Sequence, residues 1–287
     1  MSENPLILAI ESSCDETAAA VLEGSHVRAN IISTQLAHQK YGGVIPELAS
    51  RLHQQAIVEV VEAALKEADI QPEQLEAVAY TRGPGLLGAL LVGTSFAKAY
   101  AFGLDIPLLD VNHMQAHILA NFLRPDPPSF PFLCLTVSGG HTQLVFVKDY
   151  LDMEVLGETI DDAVGEAFDK GAKLLGLPYP GGPQVDKWAQ KGDPTRFSFA
   201  KPSVGDLEFS FSGIKTSLLY FLRKELQKNP DFIEENIADI CASYQSVLVE
   251  ILLDKLTKAV KETGATDIAI AGGVSANSEL RRRFQAL

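Results

Sequence analysis

Two stretches of the chain share one pattern of apolar and polar residues. Residues 6–10 form a short apolar run, residues 11–16 a polar turn rich in serine and acid, and residues 17–22 a second apolar run. The same order returns at 132–147, where two apolar runs flank the turn Ser138-Gly139-Gly140-His141-Thr142. Apolar runs separated by such turns predict a strand, a turn and a second strand. The repetition favours an internal duplication, although one serine-glycine-glycine turn by itself is also common in hairpins.

Helical and strand patterns alternate between the two copies. The apolar positions of residues 46–68 recur at helical spacing, which predicts an amphipathic helix. Strand-like runs at 75–80 and 106–110 enclose a helical pattern at 88–102. This is the order of an α/β fold, in which sites lie at the carboxyl ends of strands. The face of the 46–68 helix expected to be buried consists of Leu48, Leu52, Ala56, Val60 and Ala64.

The second half continues with helices and ends in a glycine motif. Helical patterns cover residues 161–175 and 237–263, and the buried strand 267–271 leads into Gly272-Gly273. Ser278 is the expected cap of the helix that follows. A strand that leads into two glycines at the start of a helix is typical of nucleoside binding.

Two phosphate-type turns and a strand-glycine-glycine-helix motif together predict a duplicated α/β fold. Their combination is typical of the actin, Hsp70 and sugar-kinase superfamily, in which a nucleotide binds in a cleft between two lobes. The expected lobes are residues 1–128 and residues 129–287, the second with a helical insertion.

Two histidines, His113 and His117, are the main candidates for metal binding. They are four residues apart, so both imidazoles project from one face of any helix that they share. Asp110 or Asn112 can cap that helix, and a proline-rich segment from Pro125 ends it. The alternative for a bare pair at this spacing is two surface or hydrogen-bonded histidines.

Composition narrows the class of protein. The formal net charge of −13 argues against a protein that grips nucleic acid unaided, because phosphate contacts need clustered lysine and arginine. Three widely spaced cysteines indicate neither a disulfide framework nor a thiolate zinc site. Residues 1–5 lack the basic start of a signal peptide, and polar residues interrupt the most apolar stretch, 86–102. We therefore expect a cytoplasmic protein with no membrane partner.

Several motifs in this order make the chain resemble one family within that superfamily. They are IESSCDET at 10–17, GGVIPE at 42–47, GPG at 83–85, NHMQAH at 112–117, VSGGHT at 137–142 and AGGVSAN at 271–277. Together they resemble the universal tRNA threonylcarbamoyladenosine transferases, once described as O-sialoglycoprotein endopeptidases. The resemblance covers nearly the whole chain.

The resemblance implies transfer of a threonylcarbamoyl group from threonylcarbamoyl-AMP to N6 of adenosine 37, in tRNAs that read codons beginning with A. It implies that His113 and His117 bind one divalent metal ion, iron or zinc, and ATP with magnesium is a further candidate ligand. Asp15 or Glu16 would accept the proton or orient the nucleophile. The residues expected to hold the nucleotide are Thr136, Val137, Ser138, Gly139, Gly140, Asp169, Gly182, Asp186, Gly272, Gly273 and Asn277.

The resemblance also implies partners and a third metal ligand. The expected partners are tRNA, a related metal-free paralogue in a heterodimer and, in bacteria, a P-loop ATPase. Similar proteins continue beyond the helix at Ser278 and carry an aspartate as the third protein ligand. The second lobe is therefore expected to be truncated at Leu287, and two histidines to bind metal more weakly than three ligands would.

The sequence also bears on three other functions. A His-Glu-x-x-His zinc protease is excluded because Met114 occupies the place of the catalytic glutamate. A small-molecule kinase or ATPase of the same fold is the main alternative, and metal binding by the histidine pair separates it from the transferase. A non-catalytic scaffold is disfavoured because both histidines and both glycine-rich turns are present.

Overall fold

The computed structural model describes residues 2–287, which form two compact units that divide between Pro127 and Pro128. Each unit is built on one β-sheet with helices packed against it. Each sheet joins antiparallel neighbours to a parallel strand reached through helices, as expected for an α/β fold.

The first unit contains five strands and three helices. The helices are α1 Pro46–Ala68, α2 Leu87–Leu104 and α3 His113–Leu119. The strands are β1 Leu6–Glu11, β2 Glu16–Glu23, β3 His26–Thr34, β4 Ala77–Gly83 and β5 Leu108–Asn112, in the spatial order β3-β2-β1-β4-β5.

The bounds of α1 agree with the sequence pattern, but its buried face does not. Proline at the first position starts the helix, and Asp69 ends it in the left-handed conformation with φ 55°. The buried stripe lies one residue later than expected in the first half, because Ala49, His53 and Ile57 face the sheet. The predicted face was therefore wrong for Leu48, Leu52 and Ala56, which are only half-buried, and right for Val60 and Ala64.

The second unit contains four strands and five helices. The strands are β6 Phe132–Val137, β7 Thr142–Asp149, β8 Asp152–Glu158 and β9 Asp267–Ala271, in the order β8-β7-β6-β9. The helices are α4 Val164–Leu174, α5 Gly181–Ala189, α6 Ser212–Leu226, α7 Phe232–Thr263 and α8 Ser278–Phe284.

Strand topology confirms the predicted duplication. In the first sheet β1 pairs antiparallel with β2 and parallel with β4, and β2 pairs antiparallel with β3. In the second sheet β6, β7, β8 and β9 repeat these relations in the same order. The edge strands β3 and β8 were not predicted, because their partly exposed side chains give a weak apolar signal.

Asp161 connects the segment before α4 with the start of α6. It precedes α4, which starts at Val164 rather than at residue 161, and its carboxylate accepts hydrogen bonds from Phe211 N at 2.8 Å and Ser212 Oγ at 2.7 Å. These bonds hold the first turn of α6, which starts at Ser212. Burial raises the pKa of Asp161, but the hydrogen bonds that it accepts outweigh burial and lower it.

Two helices, α2 and α7, have the length and apolar composition of membrane-spanning helices. Core helices of soluble proteins meet the same criteria, and α7 packs against α5, α6 and β6 within the second unit. The described part of the chain therefore offers only weak evidence for a membrane span.

Candidate active site

The candidate site in the first unit lies where three parallel strands end. Strands β1, β4 and β5 are neighbours in the sheet, and α3 begins directly after β5. Asn112 caps α3, because its side chain accepts hydrogen bonds from Met114 N at 2.9 Å and Gln115 N at 3.1 Å. Asp110, the other cap candidate, instead forms an exposed ion pair with Arg82 at 2.8 Å.

His113 and His117 lie side by side on α3. Their ring centroids are 4.5 Å apart and their planes are inclined by 76°. Met114 and Ile118 are buried on the same helix and anchor it to the first unit. Both imidazoles line one cavity of about 410 Å³, as expected if they act together.

Glu11 contacts His113 and was not predicted as a site residue. Its Oε2 lies 3.1 Å from His113 Nδ1 and accepts a hydrogen bond from Thr81 Oγ1 at 2.6 Å, and its Oε1 accepts one from Ser13 N. Burial raises the pKa of Glu11, but the hydrogen bonds from His113, Ser13 and Thr81 outweigh burial and lower it to about 2. The site therefore holds a carboxylate beside the histidine pair throughout the physiological pH range.

The wall of the cavity is a sheet surface with small side chains. Alternate residues of β2 face it, and Glu16 shares that alternation at the start of the strand. The alanines of this wall are Ala9, Ala18, Ala20 and Ala79. A flat surface of this kind leaves room for a ligand beside the histidines.

Asp15 ends the turn between β1 and β2, and Glu16 is the first residue of β2; these two are the predicted catalytic acids. The backbone carbonyl of Asp15 accepts a hydrogen bond from Gln35 N at 3.0 Å, and Glu16 Oε1 accepts one from Thr34 Oγ1 at 3.3 Å. The backbone of Asp15 is thus held by Gln35, and the Glu16 side chain contacts β3 at an exposed position. Their catalytic role stays a prediction.

Two further contacts hold this turn in place. The Ser13 carbonyl accepts a hydrogen bond from Leu86 N at 2.8 Å, and a Cβ on Gly85 would lie 2.6 Å from the same oxygen. On the other side, His53 Nε2 lies 2.9 Å from the Cys14 carbonyl oxygen. The turn is thus fixed between α1 and the start of α2.

The glycine turn of the second unit has space around it. Ser138 N donates to the His141 carbonyl at 2.8 Å, and Gly165 N at the start of α4 donates to the Ser138 carbonyl at 3.2 Å. A Cβ on Gly139 or Gly140 would meet no atom within 4 Å, and neither has a positive φ. The fold itself does not require these two glycines, so the open space is available to a ligand.

Gly272 and Gly273 differ in what they do. They follow β9, which runs parallel to β6 with Ala271 opposite Thr136. Gly272 has a φ of 88°, and a Cβ there would lie 2.3 Å from the Val137 carbonyl oxygen, so the fold requires a glycine. A Cβ on Gly273 would enter open space.

Two of the remaining predicted nucleotide residues make contacts within the second unit that stabilise helix starts. Asp169 Oδ1 accepts a hydrogen bond from Gly181 N at 2.7 Å at the start of α5, the helix that carries Gly182. Asp186 accepts bonds from the backbone and hydroxyl groups of Ser278 at 3.2 and 2.6 Å.

Asn277, rather than Ser278, caps α8, which corrects the predicted cap. Asn277 Oδ1 accepts from Leu280 N at 3.0 Å, and Asn277 Nδ2 donates to Gln245 Oε1 at 2.8 Å. The roles of Asp169, Asp186 and Asn277 toward a nucleotide stay predictions.

The imidazole nitrogens of the histidine pair are suitable ligands for a divalent cation. Nδ1 of His113 faces a carboxylate, an arrangement common behind metal-binding histidines, and the second imidazole is adjacent. Among residues 2–287, no group of three or more His, Cys, Asp or Glu side chains is placed to hold a metal ion. The described chain therefore offers two imidazole ligands at this place.

Comparison with known proteins decides the family. The family model described as tRNA N6-adenosine threonylcarbamoyltransferase matches residues 26–287. A protein of that name from Christiangramia forsetii is 63% identical over 97% of this chain and 83% of its own length. Another from Riemerella anatipestifer is 59% identical over 98% of this chain and 83% of its own length.

The chain belongs to the tRNA N6-adenosine threonylcarbamoyltransferase family. This confirms the resemblance seen in the motifs, and the relatives offer nothing in favour of the kinase alternative.

Solved structures support the fold. HypF from T. kodakarensis superposes with a TM-score of 0.62 at 15% identity, over 99% of this chain and 44% of that one. Component A of (R)-2-hydroxyglutaryl-CoA dehydratase from Acidaminococcus fermentans gives 0.55 at 14% identity, over 99% and 88%. At such identities the similarity concerns the fold alone, and it agrees with the predicted duplicated α/β fold.

Proposed function

We propose that this chain transfers the threonylcarbamoyl group from threonylcarbamoyl-AMP to N6 of adenosine 37, in tRNAs that read codons beginning with A. The observation that carries the proposal is 63% identity to a tRNA N6-adenosine threonylcarbamoyltransferase over 97% of the chain. The site agrees with this chemistry, because a histidine pair, the Glu11 carboxylate and the acidic residues Asp15 and Glu16 lie at one edge of the first sheet.

In the proposed reaction N6 of adenine attacks the carbamoyl carbon. The carbon–nitrogen bond forms while the bond from that carbon to the phosphate oxygen breaks, and AMP leaves. An aromatic amine is a weak nucleophile, so a nearby acceptor for its proton favours the reaction. Asp15 or Glu16 is the proposed acceptor or orienting group, since Asp15 ends the turn that follows β1 and Glu16 is the next residue, at the start of β2.

His113 and His117 are the proposed ligands of one divalent ion, iron or zinc. When bound, such an ion polarises a carbonyl or holds an anionic group of the substrate. The contacts of α3 support this role, because capping by Asn112 and burial of Ile118 fix the helix on which both rings lie.

The nucleotide part of the donor is proposed to bind the second unit, with ATP and magnesium as the other candidate ligand. The open space around Gly139 and Gly140 supports this, as does the start of α4 directly behind the turn. Gly273 also faces open space next to the carboxyl end of β9.

We further propose a soluble, cytoplasmic enzyme that acts with tRNA, a metal-free paralogue and, in bacteria, a P-loop ATPase. The formal charge of −13 supports a need for partners in tRNA binding. Leu87, Leu91 and Phe102 lie on one side of α2 and are 74%, 55% and 89% exposed, which supports a protein partner on that helix.

In the decisive experiment the purified chain and its partners are incubated with threonylcarbamoyl-AMP and an unmodified tRNA transcript. Mass spectrometry of the digested tRNA should detect the modified adenosine. His113→Ala and His117→Ala should each lower the rate tenfold or more, because each removes a metal ligand. His26→Ala, on the exposed start of β3, is the matched control and should keep full activity.

The kinase alternative has its own signature in the same assay. ATP-dependent phosphorylation of a small molecule without tRNA modification would overturn the proposal. Full transfer activity in a double variant with His113→Ala and His117→Ala would show that the proposed metal ion has no role in the reaction.

A further inference from the structure

Three hydrogen-bond donors converge on the side chain of Glu11. Thr81 Oγ1 lies 2.6 Å from Oε2, His113 Nδ1 lies 3.1 Å from the same oxygen, and Ser13 N donates to Oε1. Glu11 ends β1, Thr81 lies near the end of the adjacent strand β4, and His113 opens α3 after β5. One carboxylate therefore joins the ends of three consecutive strands in the sheet.

The contact with Glu11 determines which ring nitrogen of His113 carries the proton. A carboxylate only accepts hydrogen bonds, so at 3.1 Å an unprotonated Nδ1 would face it with two lone pairs in repulsion. Nδ1 must therefore be the protonated nitrogen, although Ser13 Oγ also lies 3.3 Å from it. Nε2 then carries the free lone pair, on a ring that lines the cavity together with His117.

Only an acceptor with two oxygens fits this position. A glutamine side chain has one carbonyl oxygen and one NH2 group. In either orientation its NH2 group would face a donor, which is Ser13 N on one side or the pair Thr81 Oγ1 and His113 Nδ1 on the other. Aspartate is one methylene shorter and cannot reach all three donors from the same backbone position. The geometry thus requires glutamate specifically.

We propose that Glu11 is a positioning residue for the metal site: it fixes the Nδ1–H tautomer and the ring orientation of His113, and presents Nε2 as the ligand atom. The inference rests on the proposed function in that it takes the histidine pair as the metal site. Through Ser13 N, the same carboxylate also couples that ring to the turn that carries Asp15. Glu11 does not itself have to touch the ion or the substrate.

Zinc binding by purified protein tests the proposal without any measurement of turnover. Wild type, Glu11→Gln and His113→Ala are titrated with Zn²⁺ in competition with a chromophoric chelator. Glu11→Gln should weaken zinc affinity by about tenfold to a hundredfold, the usual effect of removing the hydrogen-bond partner of a metal-binding histidine. Asp110→Asn, which breaks only the exposed ion pair with Arg82, is the matched control and should bind zinc as wild type does.

The tautomer of His113 provides a second readout in the metal-free protein. Nitrogen chemical shifts of the labelled imidazoles should show a protonated Nδ1 in wild type and a loss of that preference in Glu11→Gln. A merely structural role for Glu11 would change the melting temperature without changing the tautomer.

A pair of variants at Thr81 covers the case in which Glu11→Gln does not fold. Thr81→Val removes one of the three donors and should loosen the carboxylate, with a smaller loss of zinc affinity, whereas Thr81→Ser keeps the hydroxyl and should restore the wild-type value.

The outcomes separate the two proposals. Loss of zinc binding in His113→Ala together with wild-type affinity and tautomer in folded Glu11→Gln would overturn the positioning role and leave the metal site intact. Unchanged zinc affinity in His113→Ala would overturn both.

Discussion

His53 is a fully buried histidine with a partner for each ring nitrogen. Nε2 lies 2.9 Å from the Cys14 carbonyl oxygen, and Nδ1 lies 2.7 Å from Thr17 Oγ1. A carbonyl only accepts, so Nε2 carries the proton and the Thr17 hydroxyl donates to Nδ1. We predict that His53→Leu, which removes both bonds at similar volume, destabilises the protein and loosens the turn after β1.

The magnitude follows from what each partner can do without His53. Thr17 is 1% exposed, so its hydroxyl loses its partner in a place that water does not reach, at a cost of about 1–3 kcal/mol. The Cys14 carbonyl loses its donor as well, so the cost of the two lost bonds does not fall below that of the Thr17 hydroxyl alone. The free energy of unfolding should therefore fall by about 1–3 kcal/mol near pH 8.

The difference between wild type and His53→Leu should depend on pH. Burial lowers the pKa of His53, although the Cys14 carbonyl and the charges of Glu11 and Asp15 oppose the shift. Below a pH of about 6.5 the unfolded chain gains a proton that the folded protein does not bind. Wild type then loses stability by up to about 1.4 kcal/mol per pH unit from this residue, and the leucine variant does not. The difference in free energy of unfolding between wild type and His53→Leu should therefore become smaller as the pH falls from 7.5 to 5.5.

Urea unfolding followed by circular dichroism measures both effects. Thr17→Val in the His53→Leu background is the matched control, because it removes the stranded hydroxyl. The double variant should therefore be more stable than His53→Leu alone, with a coupling energy of about 1 kcal/mol or more. If the two substitutions changed the free energy of unfolding additively, or if the difference between wild type and His53→Leu stayed constant with pH, the buried hydrogen bond would not be what His53 contributes.

Three further predictions concern single contacts within the two units. Asp161→Asn should remove a pH dependence of stability. The lowered pKa of Asp161 adds stability above a pH of about 4, and this stability is lost as the pH falls through the folded-state pKa. Acid unfolding of the variant and of wild type, measured side by side, tests this. Gly85→Ala should lower the rate of transfer because its Cβ would displace the Ser13 carbonyl; a folded variant with the wild-type rate would contradict the role of this contact. Gly272→Ala should lower the free energy of unfolding by more than about 1 kcal/mol, while Gly273→Ala leaves it unchanged and weakens nucleotide binding; equal melting temperatures for the two variants would refute the distinction.

Short-range patterns determined much of the fold. The bounds of α1 were predicted as observed, since a proline starts it and a periodic apolar stripe runs along it, and β9 was predicted at residues 267–271. The histidine pair on α3 was likewise visible, because its spacing, its cap and the prolines that follow lie within a few residues of one another. Patterns of this kind depend on backbone periodicity and on neighbours along the chain.

The choice among local alternatives was decided by packing. Asn112 rather than Asp110 caps α3, because Asp110 is paired with Arg82 from the adjacent strand. Asn277 rather than Ser278 caps α8, because the side chain of Ser278 bonds to Asp186 on another helix. In each case the sequence offered two chemically suitable residues, and a contact from a distant segment engaged one of them.

The network around Glu11 could not be predicted from the sequence. Glu11 and Thr81 are 70 residues apart, and Glu11 and His113 are 102 apart, so no periodicity connects them. They meet because β1, β4 and β5 align in parallel, a pairing that depends on the burial of whole strand faces rather than on any local signal. The sequence by itself determined which two histidines could bind a metal ion, whereas the tertiary structure decided which carboxylate contacts His113.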